Sequence, residues 1–335
     1  MRIFDAWALQ ALLFSTGSAQ QTRLVFQFPK PTWLENIATT RTGHLLTGII
    51  NKAPAELHVI DPFTASNSIN TTLLHSFPGV NSIFGISEYA PDHFAVATGN
   101  YSPTTGPTAG TYAVWSVDVS HLSNHSTSAT VKVRKIADVK DLSVINGVAA
   151  LNEDAILLAD SFAGSIIRLD IKSGKHKTVI NHPSTAFAPM LGVNGLKVLH
   201  STDPPTIYYT NTQLNATFSA PINRKTGKLI GNVTTVVENE VAPDDLAVTD
   251  DGMVFFARPF AGMFVRARAG EKAVVVAGAE GSSVLGGVTS VTLGRRYNDR
   301  GVAYVATMGG FNADGSYYAE GGKIVAVDLA AEVEV

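Results

Sequence analysis

Hydrophobic residues along the chain fall in short runs, and turns rich in Gly, Asn, Asp and Pro separate one run from the next. Within the runs, apolar and polar positions alternate as in β-strands, and helical periodicity is nearly absent after residue 20. Several short strands with regular turn signals are typical of a sandwich, a barrel or a propeller. The pattern therefore predicts an all-β protein.

One two-strand layout recurs six times and distinguishes among these architectures. Each copy has a polar or small anchor residue, a short strand, a polar turn and a second strand, as in VINGVAALNEDAILLAD at 144–160. The anchors are Glu35, Phe84, Asn146, Asn194, Asp244 and Thr289, with spacings of 49, 62, 48, 50 and 45 residues. A period of roughly 40–50 residues with about four strands per unit indicates a propeller. Six anchors predict six blades.

The last repeat supplies only three strands: TSVTLG, GVAYVAT and KIVAVDL. The N-terminal segment RLVFQF, at 23–28, is therefore predicted to complete the last blade as its outer strand. This arrangement closes the ring between the two ends of the chain and leaves no exposed sheet edge there. Residues 20–335 are predicted to form a single six-bladed β-propeller domain.

The amino terminus resembles a targeting segment. Arg2 precedes the apolar run AWALQALLF, and the small residues Gly17 and Ala19 suit signal-peptidase cleavage. This predicts a signal peptide over residues 1–19 and a secreted or secretory-pathway protein, with a buried helix as the alternative. In that case five Asn-x-Ser/Thr sites become predicted glycosylation acceptors: Asn70, Asn100, Asn124, Asn215 and Asn232.

Composition narrows the function classes. The chain is 45% hydrophobic and 16% charged, and its net charge of −3 without a basic stripe argues against nucleic-acid binding. The absence of cysteine excludes thiol nucleophiles and disulfides. No segment after the N-terminal run approaches the ~18 apolar residues of a membrane span, and nothing in the sequence fixes the oligomeric state.

The anchors are the candidate chemistry. In a propeller the innermost strands line the central channel, so the residues just before them surround one channel mouth. The oxygen-bearing anchors are Glu35, Asn146, Asn194 and Asp244. Together they could hold a divalent cation such as calcium or zinc. The alternative is that each Asn or Asp makes a local turn with its own backbone, an explanation that is weaker for a glutamate.

The four aspartates of PDDLAVTDDG, at 243–252, have different expected roles. Asp250 and Asp251, with Gly252, occupy the turn between two strands on the face opposite the channel mouth and are predicted to be structural. Asp244 is the anchor. Asp245 has no role that the sequence explains.

The ordered motifs resemble those of the SMP-30/gluconolactonase-like six-bladed propellers. The resemblance is carried by Glu35, the two Asn-Gly pairs at 146–147 and 194–195, and PDDLAVTDDG. It implies a metal-dependent lactonase in which Glu35, Asn194 and Asp244 bind a divalent cation and Asn146 lies nearby. In this family the cation polarises a lactone carbonyl, and the residue corresponding to Asp244 is thought to act as the general base.

The chain departs from that family at Asp245, where the family has glycine, and at WLENIA, which replaces a Pro-Glu-Gly-Pro entry. The sequence also predicts two long loops above the mouth, at 99–111 and 309–322, which carry Tyr101 in one and Phe311, Tyr317 and Tyr318 in the other and give an apolar-aromatic rim. The WLENIA variant, the signal-like start, the stretch TSVTLGRR and this rim look more like a fungal natural-product branch that includes hetero-Diels–Alderases. Those enzymes join a tropolone-derived ortho-quinone methide to a humulene-type terpene and require no cofactor.

The second resemblance implies apolar small-molecule substrates and an apolar wall at the mouth. The candidates for this wall are Trp33, Phe84, Tyr101, Phe260, Phe311 and Tyr318. Asn146 and Asn194 would donate hydrogen bonds, while Glu35 and Asp244 would orient these amides or still bind an ion. We rank cycloaddition first, metal-dependent lactone hydrolysis second and ligand binding without catalysis third.

Overall fold

A computed structural model describes residues 22–64, 70–122, 131–187 and 191–329. The predicted signal peptide at 1–19 and the predicted glycosylation site Asn124 lie outside these ranges, and both remain predictions. No helix in the described ranges is long and apolar enough to cross a membrane.

The chain forms six four-stranded antiparallel sheets, each made of strands that follow one another along the chain, apart from the strand that closes the ring. Blade 1 comprises β2 (Trp33–Thr39), β3 (Leu45–Ile50), β4 (Ala55–Ile60) and β5 (Thr71–Phe77). Blade 2 comprises β6 (Ser82–Ala90), β7 (His93–Ser102), β8 (Gly106–Asp118) and β9 (Lys132–Asp138). Blade 3 comprises β10 (Ile145–Asn152), β11 (Ala155–Asp160), β12 (Ser165–Asp170) and β13 (His176–Ile180).

The second half of the ring repeats this order. Blade 4 comprises β14 (Val193–Leu199), β15 (Thr206–Asn211), β16 (Ala216–Pro221) and β17 (Thr234–Val237). Blade 5 comprises β18 (Leu246–Val248), β19 (Val254–Arg258), β20 (Met263–Ala267) and β21 (Val274–Gly278). Blade 6 comprises β22 (Val288–Leu293), β23 (Val302–Thr307), β24 (Lys323–Asp328) and β1 (Thr22–Gln27). Two short 3-10 helices are described, Pro183–Thr185 and Pro259–Ala261.

The six-bladed prediction and its closure by an N-terminal strand are confirmed. The innermost strands contact one another around a closed ring, with β22 returning to β2. β1 pairs antiparallel with β24, and Val25 and Phe28 from this segment are buried. The last blade thus takes its outer strand from the start of the domain.

The core lies between neighbouring blades. The second strands β3 and β11 are buried at every position because their two faces pack against the adjacent blades on either side. One apolar cluster, for example, joins Leu157 of blade 3 to Leu196 and Tyr209 of blade 4. This packing fixes the positions of the inner strands and of the residues that precede them.

The residues that follow the anchors form a second layer in the channel. In order, they are Asn36, Gly85, Gly147, Gly195, Asp245 and Ser290. The glycines are required by close approach: a Cβ on Gly147 would lie 2.4 Å from the carbonyl oxygen of Asn194. A Cβ on Gly85 would similarly lie 2.6 Å from the carbonyl oxygen of Asn146. One half of the ring is therefore held together by backbone contact.

The segment at 99–111, expected as a long loop, is instead mostly β-hairpin. Strands β7 and β8 continue to Ser102 and Gly106, and Tyr101 pairs with Pro107. Gly106 has a φ of 76°, a conformation that glycine adopts without steric cost and that allows the tight turn. The hairpin holds Tyr101 above the channel mouth.

Candidate functional site

A cavity of about 300 Å³ lies over the channel mouth, at the face where the innermost strands begin. Its polar lining residues are Glu35, Asn146, Asn194, Thr212 and Asp244. The structure thus brings together the four predicted anchors, contributed by blades 1, 3, 4 and 5. Much of the remaining lining is aromatic or aliphatic.

Glu35 lies near the start of β2, where Trp33 precedes it by two residues on the same face of the strand. Trp33 Nε1 donates a hydrogen bond to Glu35 Oε2 at 2.6 Å. Burial raises the pKa of Glu35 to about 7; the indole hydrogen bond opposes this change, and the charge of Asp245 adds to it. Glu35 therefore keeps its proton to a higher pH than an ordinary glutamate does.

Asn194 and Asp244 are joined on the far side of the cavity floor. Asn194 Nδ2 donates to Asp244 Oδ1 and to Thr212 Oγ1, each at 2.9 Å. Thr212 in turn donates to the carbonyl oxygen of Pro243 at 3.0 Å. With its Nδ2 engaged twice, Asn194 presents a buried Oδ1 that has no hydrogen-bond partner.

Asp244 is held beside two other carboxyl groups. Burial raises its pKa well above the usual range, and the charges of Glu35 and Asp245 act in the same direction. The hydrogen bond from Asn194 partly opposes them. A proton on this side of the floor is consequently retained more strongly than on an ordinary aspartate.

Asn146 differs from Asn194 in having a free amide. Its side chain is buried and lines the cavity. No hydrogen bond within the described ranges holds that amide. It can therefore donate to a ligand or accept from one.

Six rings form a continuous aromatic arc around one side of the mouth. From blade 2 to blade 5 the arc comprises Phe84, Tyr101, Trp33, Tyr317, Phe311 and Phe260, with successive ring centroids 6.3, 6.0, 5.2, 5.6 and 5.5 Å apart. Trp33 stacks on Tyr317, and Phe260 stacks on Phe311. The successive ring pairs of the arc thus combine stacked, tilted and edge-to-face geometries.

The structure places most of the predicted wall residues on the cavity surface, but not all. Trp33, Phe84, Tyr101 and Phe260 line it. Phe311 lines an adjoining groove instead, and Tyr318 contacts Tyr317 from behind with centroids 6.4 Å apart.

Sequence reasoning did not select Tyr317, although it neighbours Tyr318 in the same aromatic loop. It also missed the aliphatic side of the mouth, which is formed by Val144, Leu191 and Ala242. These aliphatic residues carry no chemical signal in the sequence. Val144 and Ala242 could have been indicated only by their place, two residues before the anchors Asn146 and Asp244.

Asp245 ties the channel together below the floor. Its Oδ2 accepts hydrogen bonds from Asn36 Nδ2 at 2.7 Å and from Ser290 Oγ at 2.9 Å. Lys197 Nζ lies 3.6 Å from the same oxygen. The residue that replaces the expected glycine thus links blades 1, 4, 5 and 6 around the axis.

The donor chemistry of the floor fits a hard divalent cation. Among the described residues, Glu35 and Asp244 each keep one oxygen without an intramolecular hydrogen bond, and the unpaired Oδ1 of Asn194 is a third oxygen donor. Oxygen donors of this kind suit calcium better than zinc, which usually takes histidine or cysteine. Within the described ranges, no three His, Cys, Asp or Glu residues converge in a metal-binding group.

None of the other predicted sites within the described ranges lines the cavity. Asp251 lies in the β18–β19 turn, on the propeller face opposite the channel mouth. It accepts a hydrogen bond from Thr249 Oγ1 and forms an ion pair with Arg268, so its contacts there are structural. Among the glycosylation candidates, Asn70, Asn215 and Asn232 are exposed. Asn100 is half-buried, and its Oδ1 accepts a hydrogen bond from the Asn81 amide.

Comparison with known proteins adds fungal relatives to this geometry. The chain is 24% identical over 325 residues to the "Putative hetero-Diels-Alderase asR5" of Sarocladium schorii, covering 85% of this chain and 77% of that protein. A "Putative hetero-Diels-Alderase" from a Phoma species is 24% identical over 200 residues, which cover 52% of this chain and 55% of that protein. The chain is a six-bladed propeller related to these fungal proteins. No protein-family profile matches it.

Solved structures share the fold at lower sequence identity. A luciferin-regenerating enzyme superposes with a TM-score of 0.64 at 15% identity, over 92% of this chain and 95% of that one. Regucalcin, a calcium-binding protein from Agrobacterium tumefaciens, superposes with a TM-score of 0.62 at 14% identity, over 92% of this chain and 95% of that one. A virginiamycin B lyase from Staphylococcus aureus superposes with a TM-score of 0.51 at 11% identity, over 92% of this chain and 99% of that one. At these identities the likeness concerns the fold alone.

Proposed function

We propose that the protein catalyses an intermolecular hetero-Diels–Alder cycloaddition between a tropolone-type ortho-quinone methide and a humulene-type terpene alkene. The observation that carries the proposal is the cavity itself, in which an aromatic arc and an aliphatic side enclose a small polar floor. The names of the fungal relatives support the same reaction class. The reaction forms one carbon–carbon and one carbon–oxygen bond, and no atom leaves.

Positioning supplies the larger part of the proposed rate enhancement. Holding two partners in reactive contact can lower a barrier by about 7–11 kcal/mol at best. The flat conjugated partner suits the aromatic rings of Trp33 and Tyr317, which both line the cavity. The aliphatic side near Val144 and Leu191 suits the terpene.

The polar floor supplies the second contribution. Negative charge grows on the quinone-methide oxygen as the carbon–carbon bond forms, and a hydrogen-bond donor placed there stabilises the transition state. The free amide of Asn146 is the donor in this proposal, and protonated Glu35 is a second one, since its pKa is about 7. Asn194 instead offers an acceptor, because both of its Nδ2 hydrogens are already engaged.

Metal-dependent lactone hydrolysis is the second candidate. It is favoured by one observation, the unpaired Oδ1 of Asn194 beside two buried carboxyl groups. Glu35, Asn194 and Asp244 would hold the cation, which would polarise a lactone carbonyl when bound. Asp244 would then be the residue that accepts a proton from water.

Incubation of the purified protein with an ortho-quinone methide precursor and humulene tests the first proposal. We expect cycloadduct formation above the uncatalysed rate, measured by chromatography and mass spectrometry. Activity should persist in chelator and in Asp244→Asn, because neither a cation nor the Asp244 carboxylate takes part. The matched control is Asp251→Asn, on the opposite face.

Three results would contradict this reading. Lactone hydrolysis that is lost in chelator and in Asp244→Asn, without cycloadduct, would establish the hydrolase. Tight binding of either partner with no turnover would indicate a ligand-binding propeller. Cycloadduct formation that is abolished by chelator would require a metal in the reaction.

A further inference from the structure

A groove lies beside the cavity on the same face, between blades 5 and 6. Its volume is about 340 Å³, and it shares Pro259 and Phe260 with the cavity. Glycines from the segments at 281–287 and 309–310 form much of its surface. Because glycine has no side chain, this surface is largely bare backbone.

Phe260 and Phe311 form the wall between the two spaces. Their rings stack with centroids 5.5 Å apart and planes 18° apart. Phe260 lines both spaces and is 56% exposed, on the short helix Pro259–Ala261. A ligand longer than the cavity therefore reaches the groove by passing along this ring.

Part of the groove lining is unsuited to an anion. Glycine-rich loops bind phosphate when their backbone N–H groups point freely into the site. Here the N–H groups of Gly262, Ser282, Gly286, Ala319 and Glu320 each donate to a carbonyl oxygen of the protein. Glu320, which pairs with Lys323, also places a carboxylate at the groove. The carboxylate disfavours an anionic ligand, whereas the apolar part of the lining, Pro259, Phe260, Phe311 and Ala319, can hold a hydrocarbon.

Size indicates that the cavity alone does not hold both partners. Pockets for single drug-sized ligands have volumes of roughly 300–1,000 Å³, so a cavity of about 300 Å³ is small for two partners at once. We propose that the groove is a second binding compartment, which takes the hydrocarbon end of an isoprenoid partner whose reacting alkene lies in the cavity. The identity of this ligand rests on the proposed function.

Two substitutions fill the groove without altering the cavity lining. Ala319→Phe and Ser282→Phe each add a ring at a position that lines the groove but not the cavity. Ala313→Phe is the matched control, since Ala313 is an exposed turn residue of the same segment that lines neither space. Circular dichroism and melting temperature establish that the three variants are folded.

Binding is measured by titration calorimetry with two isoprenoid alcohols, one containing a single isoprene unit and the other three. We expect both groove variants to lose affinity for the longer alcohol by at least roughly tenfold, because each methylene removed from water contributes roughly fourfold. The shorter alcohol should bind all variants as it binds the wild type, and Ala313→Phe should bind both alcohols normally.

Unchanged affinity for the longer alcohol would overturn the proposal. An equal loss for both alcohols, or a wild type that does not prefer the longer one, would do the same. Turnover is scored separately from binding. Chain-length-selective binding without cycloadduct would contradict the proposed function and still support the groove as a binding compartment. Cycloadduct formation with binding that does not depend on chain length would support the proposed function and contradict the groove.

Discussion

At the scale of single residues, we expect Glu35 to make the stability of the protein fall as the pH rises from about 4.5 to about 7. Its pKa rises on folding from 4.5 to about 7, chiefly through burial. Between these values the unfolded chain releases the proton and the folded protein keeps it, so the contribution of Glu35 to stability is full below about pH 4.5 and falls as the pH rises towards 7. We expect a loss of about 1.4 kcal/mol per pKa unit of difference.

Urea denaturation from pH 5 to 8, in chelator, measures this effect against Glu35→Gln. The free energy of unfolding of the wild type should fall relative to the variant as the pH rises through this range, and Glu271→Gln, at an exposed turn, should follow the wild type. Parallel pH curves for the wild type and Glu35→Gln would show that Glu35 keeps its ordinary pKa.

The predictability of the site also divides residue by residue. The anchors Glu35, Asn194 and Asp244 could be selected from the sequence because a regular repeat assigns the same place to each. Asp245 could not be explained, because its partner Asn36 lies 209 residues away and Ser290 lies 45 residues away. The local motif shows only that Asp245 stands where the resembling family has glycine. It does not show which distant residues contact the aspartate.

At the scale of elements, close packing of the innermost strands depends on glycine. We expect Gly147→Ala to destabilise the protein by about 1–3 kcal/mol or more, the usual cost of overpacking. The added methyl group would lie 2.4 Å from the Asn194 oxygen and 2.7 Å from the Leu196 nitrogen, both backbone atoms that cannot rotate away. The midpoint of urea denaturation measures the loss.

Gly286→Ala is the control for this prediction. A Cβ at Gly286 would find its nearest neighbour at 3.4 Å, within ordinary van der Waals contact. The two variants should therefore differ clearly in denaturation midpoint. Similar midpoints would mean that β10 and β14 can separate slightly without loss.

The mouth elements were less predictable than the blades. Alternating hydrophobic positions identify strands that bury a face, whereas the extended end of the β7–β8 hairpin is only partly buried and is rich in Thr, Gly and Pro. Its pairing depends on turn geometry at Gly106 rather than on a hydrophobic pattern. The aromatic arc likewise depends on contacts among residues from blades 1, 2, 5 and 6, which lie far apart in the sequence.

At the scale of the whole molecule, the ring was predictable because a missing strand at one end and a spare strand at the other must pair to remove an edge. The contribution of the β1–β24 pairing to the free energy of unfolding can be measured. A chain that begins at Pro29 lacks β1, so β24 becomes an edge strand and the burial of Val25 and Phe28 is lost. Burial of each such side chain contributes about 1.5–3 kcal/mol, so we expect a loss of several kcal/mol.

A chain that begins at Thr22 is the control, since it keeps the whole of β1. Hydrogen exchange should accelerate in Lys323–Asp328 of the shorter chain, because these amides lie on the strand that the truncation exposes. Size-exclusion chromatography should also show self-association through the new edge. Equal denaturation midpoints and equal exchange in the two chains would mean that the ring holds without its closing strand, and that the contacts between blades suffice to keep the channel mouth in place.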